Sequence, residues 1–261
     1  MKIIVCIKQV PDTTEVKLNP ETGTLIREGV SSIINPDDKA GLEAALRLKD
    51  ACGASVTALS MGPLQADVAL REALAMGADD AVLISDRAFG GADTWATSST
   101  IASAIRKIGG YDLIITGRQA IDGDTAQVGP QIAEHLGLPN VSYAEALEIE
   151  GDTVIVKRQF EDRYHMIQVK MPCLITALAE LNEPRYMTPG GIADAYRNKE
   201  ITMLTRADLD VEDQNIGLKG SPTRVFQSFT KAVKGKGTVV NLEGSEAAAW
   251  LVERMKEKFI L

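Results

Sequence analysis

The stretch YDLIITGRQAIDGDTAQVGPQIAEHL, residues 111–136, carries an apolar run at Asp112 to Thr116 into a glycine-rich loop and then an amphipathic segment, Gln131 to Leu136. It reads as a buried strand handing over to a helix. The same hand-over recurs upstream: Lys2 to Ile7, Ser55 to Ser60 and Ala81 to Ile84 are short runs apolar on both faces, the pattern of parallel strands covered by helices. Between them, Asp37 to Ala51 sets Ala40, Ala44, Leu48 and Ala51 on one helical face, behind Asn35 as N-cap and Pro36 at the first helical position. Ala66 to Ala75 and Thr94 to Ile108 repeat the pattern, with Gly77 and Gly109 just past their ends. Such alternation predicts an α/β fold with a doubly wound, mostly parallel sheet and right-handed crossovers. Ligands of these sheets sit beyond the carboxyl ends of the strands, where the strand order reverses. Four loops fall there: Lys8 to Pro11, the turn around Asn35, Ser60 to Pro63, and Thr116 to Pro130.

After Pro139 the texture changes. Val154 to Gln159 and Met166 to Lys170 read as strands, with Gly151-Asp152 as a turn after Ala146 to Ile149, and Pro172 to Ala177 adds one more buried strand. From Asn182 onward Pro184, Pro189, Gly190 and Gly191 interrupt any long periodicity until Glu246 to Lys258. A segment that stops burying its own core yet keeps Tyr186, Tyr196 and Phe226 fits either a surface packed on another protein or a mobile tail.

Composition removes several function classes. The 261 residues suffice for one main core with an extension or a second, smaller unit. A net charge of −8 argues against nucleic-acid binding, which needs clustered Lys and Arg. No apolar run approaches the roughly 20 residues of a membrane helix. MKIIVCIKQVPD is too short for a signal peptide and lacks a cleavage site, so a soluble cytoplasmic protein with no membrane insertion is expected. Cys6, Cys52 and Cys173 are far apart in apolar surroundings and read as buried structural thiols. His135 and His165 lack partners at metal-ligand spacing, so no metal site is expected.

In the 116–130 loop, Gly117, Gly123 and Gly129 permit backbone amides to approach a ligand, and the following helix aims its unpaired amides at an anion. Asp122 and Asp124 repel phosphate; they fit as acceptors from helix-end amides or ribose hydroxyls, and Asp124 with Gln127 has capping-box spacing. Pro130 belongs in the first helical turn. An ordinary capped βα turn accounts for the spacing equally well. There is no G-x-x-x-x-G-K-[ST] loop, no strand-linked G-x-G-x-x-G, no G-x-S-x-G elbow and no H-E-x-x-H. Nucleotide binding without catalytic residues describes a carrier whose cofactor supplies the chemistry.

Longer motifs go further. KQVPD at 8–12, NPDDKAGLEAALRLK at 35–49, SMGP at 60–63, ALAMGAD at 73–79, GRQAIDGDTAQVGPQIAEHLGLP at 117–139 and LNEPRY at 181–186 together resemble the beta subunit of electron-transferring flavoproteins, the family that includes the FixA-type proteins. The resemblance runs nearly end to end. It implies a Rossmann-like domain of the adenine nucleotide alpha hydrolase type over 1–183, binding an adenine nucleotide or FAD. Over 184–261 it implies a recognition loop and an extended C-terminal arm packing on the alpha subunit. The implied assembly is a heterodimer whose alpha subunit carries the electron-transferring FAD. The nucleotide contacts that the family suggests fall at Cys6; at Asn35, Pro36, Asp37 and Asp38; at Met61; and at Ala120, Ile121, Asp122, Gly123, Asp124, Thr125, Ala126, Gln127, Val128, Gly129, Pro130 and Gln131.

Members of this family divide by ligand: many hold structural AMP, while electron-bifurcating relatives hold a second FAD, accept electrons from NADH and split them between two acceptors. The AMP type reads Asp-Asp-Asp followed by bulkier residues. Here Asp122-Gly123-Asp124-Thr125-Ala126 resembles the bifurcating group, as does Gly217 to Thr223. Small residues at Gly123, Thr125 and Ala126 leave the room a dinucleotide needs, so FAD is expected ahead of AMP, with NAD as transient electron donor or acceptor. The docking loop, with Glu183, Pro184, Arg185, Tyr186 and Pro189, would meet an acyl-CoA-type or related flavin dehydrogenase. Pro189, however, stands where the family has its anchoring leucine, and the following lysine cluster is thinned to Arg197, Asn198 and Lys199. The rival class is an ATP-using enzyme or ATP-binding stress protein, which usually carries a Ser-Gly-Gly-x-Asp-Ser-like loop where this chain has Lys8-Gln9-Val10-Pro11.

Overall fold

The runs that are apolar on both faces form the middle of a nine-stranded sheet in the computed structural model, which describes residues 1–12, 17–18, 25–26, 31–223, 235 and 237–261. The elements in chain order are β1 (Lys2–Cys6), β2 (Gln9–Pro11), β3 (Lys17–Leu18), β4 (Leu25–Ile26), β5 (Ser32–Ile34), α1 (Pro36–Cys52), β6 (Ser55–Met61), α2 (Asp67–Met76), β7 (Asp80–Ile84), α3 (Thr94–Ile108) and β8 (Leu113–Gly117). There follow α4 (Val128–Leu136), β9 (Asn140–Glu150), β10 (Thr153–Gln159), β11 (Tyr164–Lys170), β12 (Cys173–Ala177), α5 (Pro189–Arg197), β13 (Ile201–Leu204), α6 (Gly217–Gly220) and α7 (Gly244–Glu257).

The sheet order is β11-β10-β9-β12-β8-β1-β6-β7-β13. From β9 to β13 all neighbours are parallel; β10 and β11 add an antiparallel edge. The chain steps outward from β1 to β6 and β7, then returns through α3 to β8 on the other side of β1. The strand order therefore reverses between β1 and β8, the place where such sheets bind ligands.

Alternation along each strand sorts the core into two faces. Val5, Ala58, Ile115 and Ile175 belong to a cluster with Leu42 and Leu46 of α1 and Leu70 of α2. Ile4, Leu59, Ile114 and Leu174 belong to another with Ile101 and Ile105 of α3 and Ile132 of α4. Each fully buried Ile or Leu in these layers contributes about 1.5–3 kcal/mol. Gly41 brings α1 down onto β8: a Cβ there would lie 2.8 Å from Ile115 Cγ2.

Two expectations are corrected, the Asp124–Gln127 capping box and the burial of Cys52. Asn35 holds the N-cap position of α1, with Pro36 at the first turn, but its side chain caps nothing there. The Asp124–Gln127 capping box does not form: α4 starts behind Gln127 without a side-chain cap, and the Asp124 carboxylate is taken by the Gln119 amide. Cys52 is exposed, because the last turn of α1 runs past the sheet and leaves Ala51 and Cys52 in solvent. Strand β13 pairs with β7 at the sheet edge, and one compact unit runs from Met1 to Phe226. Four residues, two of them exposed, are too short for strand alternation to show in sequence. In the second unit, Gln227–Leu261, helix α7 places Arg254 over the Trp250 ring and leaves Leu251 and Val252 exposed.

Candidate functional site

Three residues at the start of α1 tie together the strand ends at the reversal. Asn35 is fully buried; its Nδ2 donates to Gln119 O at 2.8 Å and its Oδ1 accepts from the Ile121 amide at 3.0 Å, so it holds the loop that follows β8. Asp38 Oδ2 accepts from the Lys8 amide at 2.8 Å, and Oδ1 accepts from the Gly117 amide at 2.9 Å. Asp37 reaches the end of β12, accepting from the Ala179 amide at 3.0 Å, while its other oxygen faces Arg118 Nε at 3.3 Å. The loops after β1, β8 and β12 are thereby fixed to one helical turn.

This concentration of carboxylates is electrostatically loaded. Burial pushes the Asp38 carboxyl up to about 7, against the lowering effect of the Lys8 amide, the Asn35 side chain and the Gly117 amide, and with the Asp37 charge adding to the rise. Burial also raises Asp37, opposed by the Arg118 charge. The Cys6 thiol is pushed up to about 12 by burial and by Asp38, which makes it an inert side chain rather than a nucleophile.

The β8–α4 loop projects from this base. Asp122, Gly123, Asp124, Thr125 and Gln127 are exposed, and Asp124 (φ 55°) and Ala126 (φ 52°) hold left-handed backbone that non-glycine residues rarely adopt. Lys8 Nζ reaches Asp122 at 2.7 Å. Farther on, Thr94 donates to Gln127 and Ser98 to Gln131, fastening the start of α4 to α3; Pro130 sits in the first turn of α4, as its missing amide hydrogen requires. Of the three glycines read as ligand-facing, two serve the fold. A Cβ on Gly117 would lie 2.1 Å from Asp38 Oδ1, and one on Gly129 would lie 2.5 Å from Thr116 Oγ1. Around Gly123 a Cβ would meet nothing within 4 Å, so it alone opens space.

Beside this loop is a cleft of about 190 Å³ lined by residues that include Lys8, Val10, Ser32, Met61, Gln65 and Asp122. Met61 and Asp122, two of the residues expected to touch the nucleotide, are among those that line it. Cys6, Asn35, Asp37 and Asp38 do not, and serve as its frame. Lys8, Val10, Ser32 and Gln65 line it without having been expected as contacts; the signal for Lys8 is a lone cation just past the first strand, in a loop that the strand-end rule selects.

Residues 22–209 match the electron transfer flavoprotein domain. The chain is 60% identical, over 99% of both sequences, to the electron transfer flavoprotein subunit beta of Clostridium acetobutylicum. The chain belongs to the electron transfer flavoprotein beta-subunit family. Across the whole of both sequences it is also 55% identical to the caffeyl-CoA reductase-Etf complex subunit CarD of Acetobacterium woodii, and 51% identical to the acryloyl-CoA reductase electron transfer subunit gamma of Anaerotignum propionicum.

In this flavoprotein-family chain the LNEPRY segment is bound to α1. Arg185 donates from Nε to Glu43 Oε2 at 2.8 Å and from Nη2 to Glu43 Oε1 at 3.1 Å, and its amide donates to the same carboxylate. The next residue, Tyr186, is 95% exposed. Thr188 caps α5, with Pro189 in the first turn, and the Glu183 carbonyl accepts from Arg47. The Gly217 to Thr223 segment folds onto the start of α3: Asp93 caps that helix at Ala96 and also accepts from Thr223, while Ser221 Oγ accepts from the Asp93 amide. No helix among the described residues is long and apolar enough to cross a membrane.

Proposed function

We propose that this chain holds an FAD at the β1/β8 reversal and works in the cytoplasm as a heterodimer with an alpha subunit, which carries a second FAD. The pair passes electrons between NADH or an acyl-CoA-type dehydrogenase and another acceptor by flavin-based bifurcation. The observation that carries this reading is the open ground around Gly123, flanked by exposed Asp122, Asp124 and Thr125 on a loop clamped at its base by Asn35. It is supported by end-to-end similarity to subunits named for caffeyl-CoA and acryloyl-CoA reductase complexes.

The residues fit an adenine dinucleotide. Lys8 supplies a cation for phosphate, Met61 an apolar wall, and the loop carboxylates acceptors for ribose hydroxyls. Bound flavin supplies the redox chemistry. The chain binds and orients it, and Tyr186 with the segment around it meets the dehydrogenase. A second reading, structural AMP, is favoured by the cleft itself, since about 190 Å³ is below the roughly 300 Å³ of ordinary ligand pockets.

The test is the cofactor content of the heterodimer purified under mild conditions. Two flavins per heterodimer, bleached by NADH, are expected. One flavin with one AMP selects the second reading, and a complex with neither flavin nor adenine nucleotide overturns both.

A further inference from the structure

The ion pair between Lys8 and Asp122 stands on the wall of the cleft. Lys8 Nζ lies 2.7 Å and 2.9 Å from the two Asp122 oxygens, and Lys8 is the one cation among the described residues that line the cleft. The two ends of the pair are built differently. Lys8 stands two residues past the end of β1, and its amide is fixed by the buried Asp38. Asp122 follows the Ile121 amide that is fixed to Asn35 and lies in the exposed turn that the Asp124 amide closes on Ala120 O, whose backbone is left-handed at Asp124 and Ala126.

We infer that Asp122 is an internal stand-in for a ligand phosphate. It neutralises Lys8 in the ligand-free protein and yields it when a nucleotide phosphate enters, which makes Lys8 the group that selects phosphorylated adenine ligands over the bare nucleoside. The inference rests on the nucleotide reading above. With side chains 47% and 22% exposed, both ions keep much of their water and the pair adds little stability, so exchange is easy. A phosphate offers more charge and more acceptor oxygens than a carboxylate, and lysine binds it as a point charge. Arg118, the nearby guanidinium, is held at Asp37 and does not compete. Once displaced, Asp122 is free to accept from ribose hydroxyls or water.

The experiment is calorimetric titration of the intact heterodimer, stripped of nucleotide, with adenosine, AMP and ADP. Wild type should bind AMP and ADP about tenfold or more tighter than adenosine. Lys8→Met should erase that preference and leave adenosine affinity unchanged, while Lys8→Arg should restore it. Asp122→Asn should tighten AMP and ADP about three- to tenfold relative to adenosine, because it removes the competitor for Lys8. The inference is overturned if Lys8→Met keeps the phosphate preference, or if Asp122→Asn leaves the preference for AMP over adenosine unchanged or smaller. If wild type binds AMP, ADP and FAD not at all, the nucleotide reading fails and takes this inference with it. Both side chains are partly exposed, and equal thermal midpoints of the variants establish that folding is intact.

Discussion

Oδ1 of Asp38 accepts a 2.9 Å hydrogen bond from the amide of Gly117, across 79 positions of sequence. The other oxygen takes the Lys8 amide, so one carboxylate on α1 bridges the two strand ends where the order reverses. This contact leaves no room for a side chain on Gly117: a Cβ would fall 2.1 Å from Oδ1, 2.8 Å from the Asp38 amide and 2.9 Å from Asp37 Cβ. Backbone atoms cannot step aside as a flexible side chain can. Gly117→Ala should therefore cost about 2–4 kcal/mol in urea unfolding and weaken nucleotide binding together with it. A variant as stable as wild type would show that the strand ends are not clamped.

The same carboxylate makes stability depend on pH. Its folded pKa of about 7 lies above its ordinary value, so the folded protein holds the proton more tightly than the unfolded chain. The contribution of Asp38 is fully present below about pH 4 and is lost as pH rises through about 7. Asp38→Asn cannot titrate. Urea unfolding at pH 5 and pH 8 should show wild type losing stability relative to the variant by about 2–3 kcal/mol between the two, even though the Asn amide satisfies only one of the two backbone donors. Parallel pH profiles for the two proteins would refute the assignment.

The thiols give an independent check of burial. Cys52 is exposed at the end of α1; burial pushes Cys173 up to about 11, and burial with Asp38 pushes Cys6 up to about 12. Thiolate is the reactive form, so a disulfide reagent at pH 8 should titrate one thiol rapidly in the native protein and three in urea. Cys52→Ser should abolish the rapid phase. A second fast thiol would mean that the strand end carrying Cys6 opens readily.

What could be read from sequence was whatever a local period or a local stop signal encodes. Helix α3 runs from Thr94 to Ile108 as expected, because Asp93 caps one end and Gly109 stops the other. The central parallel strands are legible because both faces are buried, whereas the short, half-exposed edge strand β13 is not. Asn35 was legible as a helix start, yet its work lies at Gln119 and Ile121, more than 80 residues away, and a side chain that can cap its own helix or clamp a distant loop looks the same in a string of letters. The glycines misled for a related reason: Gly117 and Gly129 sit in a loop that looks built for a ligand, but the atoms that exclude their side chains belong to Asp38 and Thr116.

The arginine of LNEPRY anchors its segment to α1, and the tyrosine after it is the side chain on which the proposed docking is tested. Glu43 is 3% exposed, and burial alone would raise its carboxyl; the hydrogen bonds and charge of Arg185, with help from Arg47, outweigh that and hold it below its ordinary value. Removing Arg185 strips a buried carboxylate of its main partner. Arg185→Ala should cost about 1–3 kcal/mol at pH 7, and the difference from wild type should shrink as pH falls through the carboxylate range and Glu43 takes up a proton. Hydrogen exchange of residues 181–188 should speed up in parallel. Tyr186, 95% exposed, touches little of its own chain, so Tyr186→Ala should leave stability within about 0.5 kcal/mol of wild type. It should still slow electron transfer to or from the partner dehydrogenase, since a large exposed aromatic on an anchored segment is the kind of side chain that carries interface energy. Stopped-flow rates against dehydrogenase concentration separate the two variants: Tyr186→Ala raises the half-saturation concentration alone, whereas Arg185→Ala changes it only along with the exchange rates. Unchanged kinetics in Tyr186→Ala would remove this segment from the docking surface and leave the Arg185–Glu43 pair as a purely structural anchor.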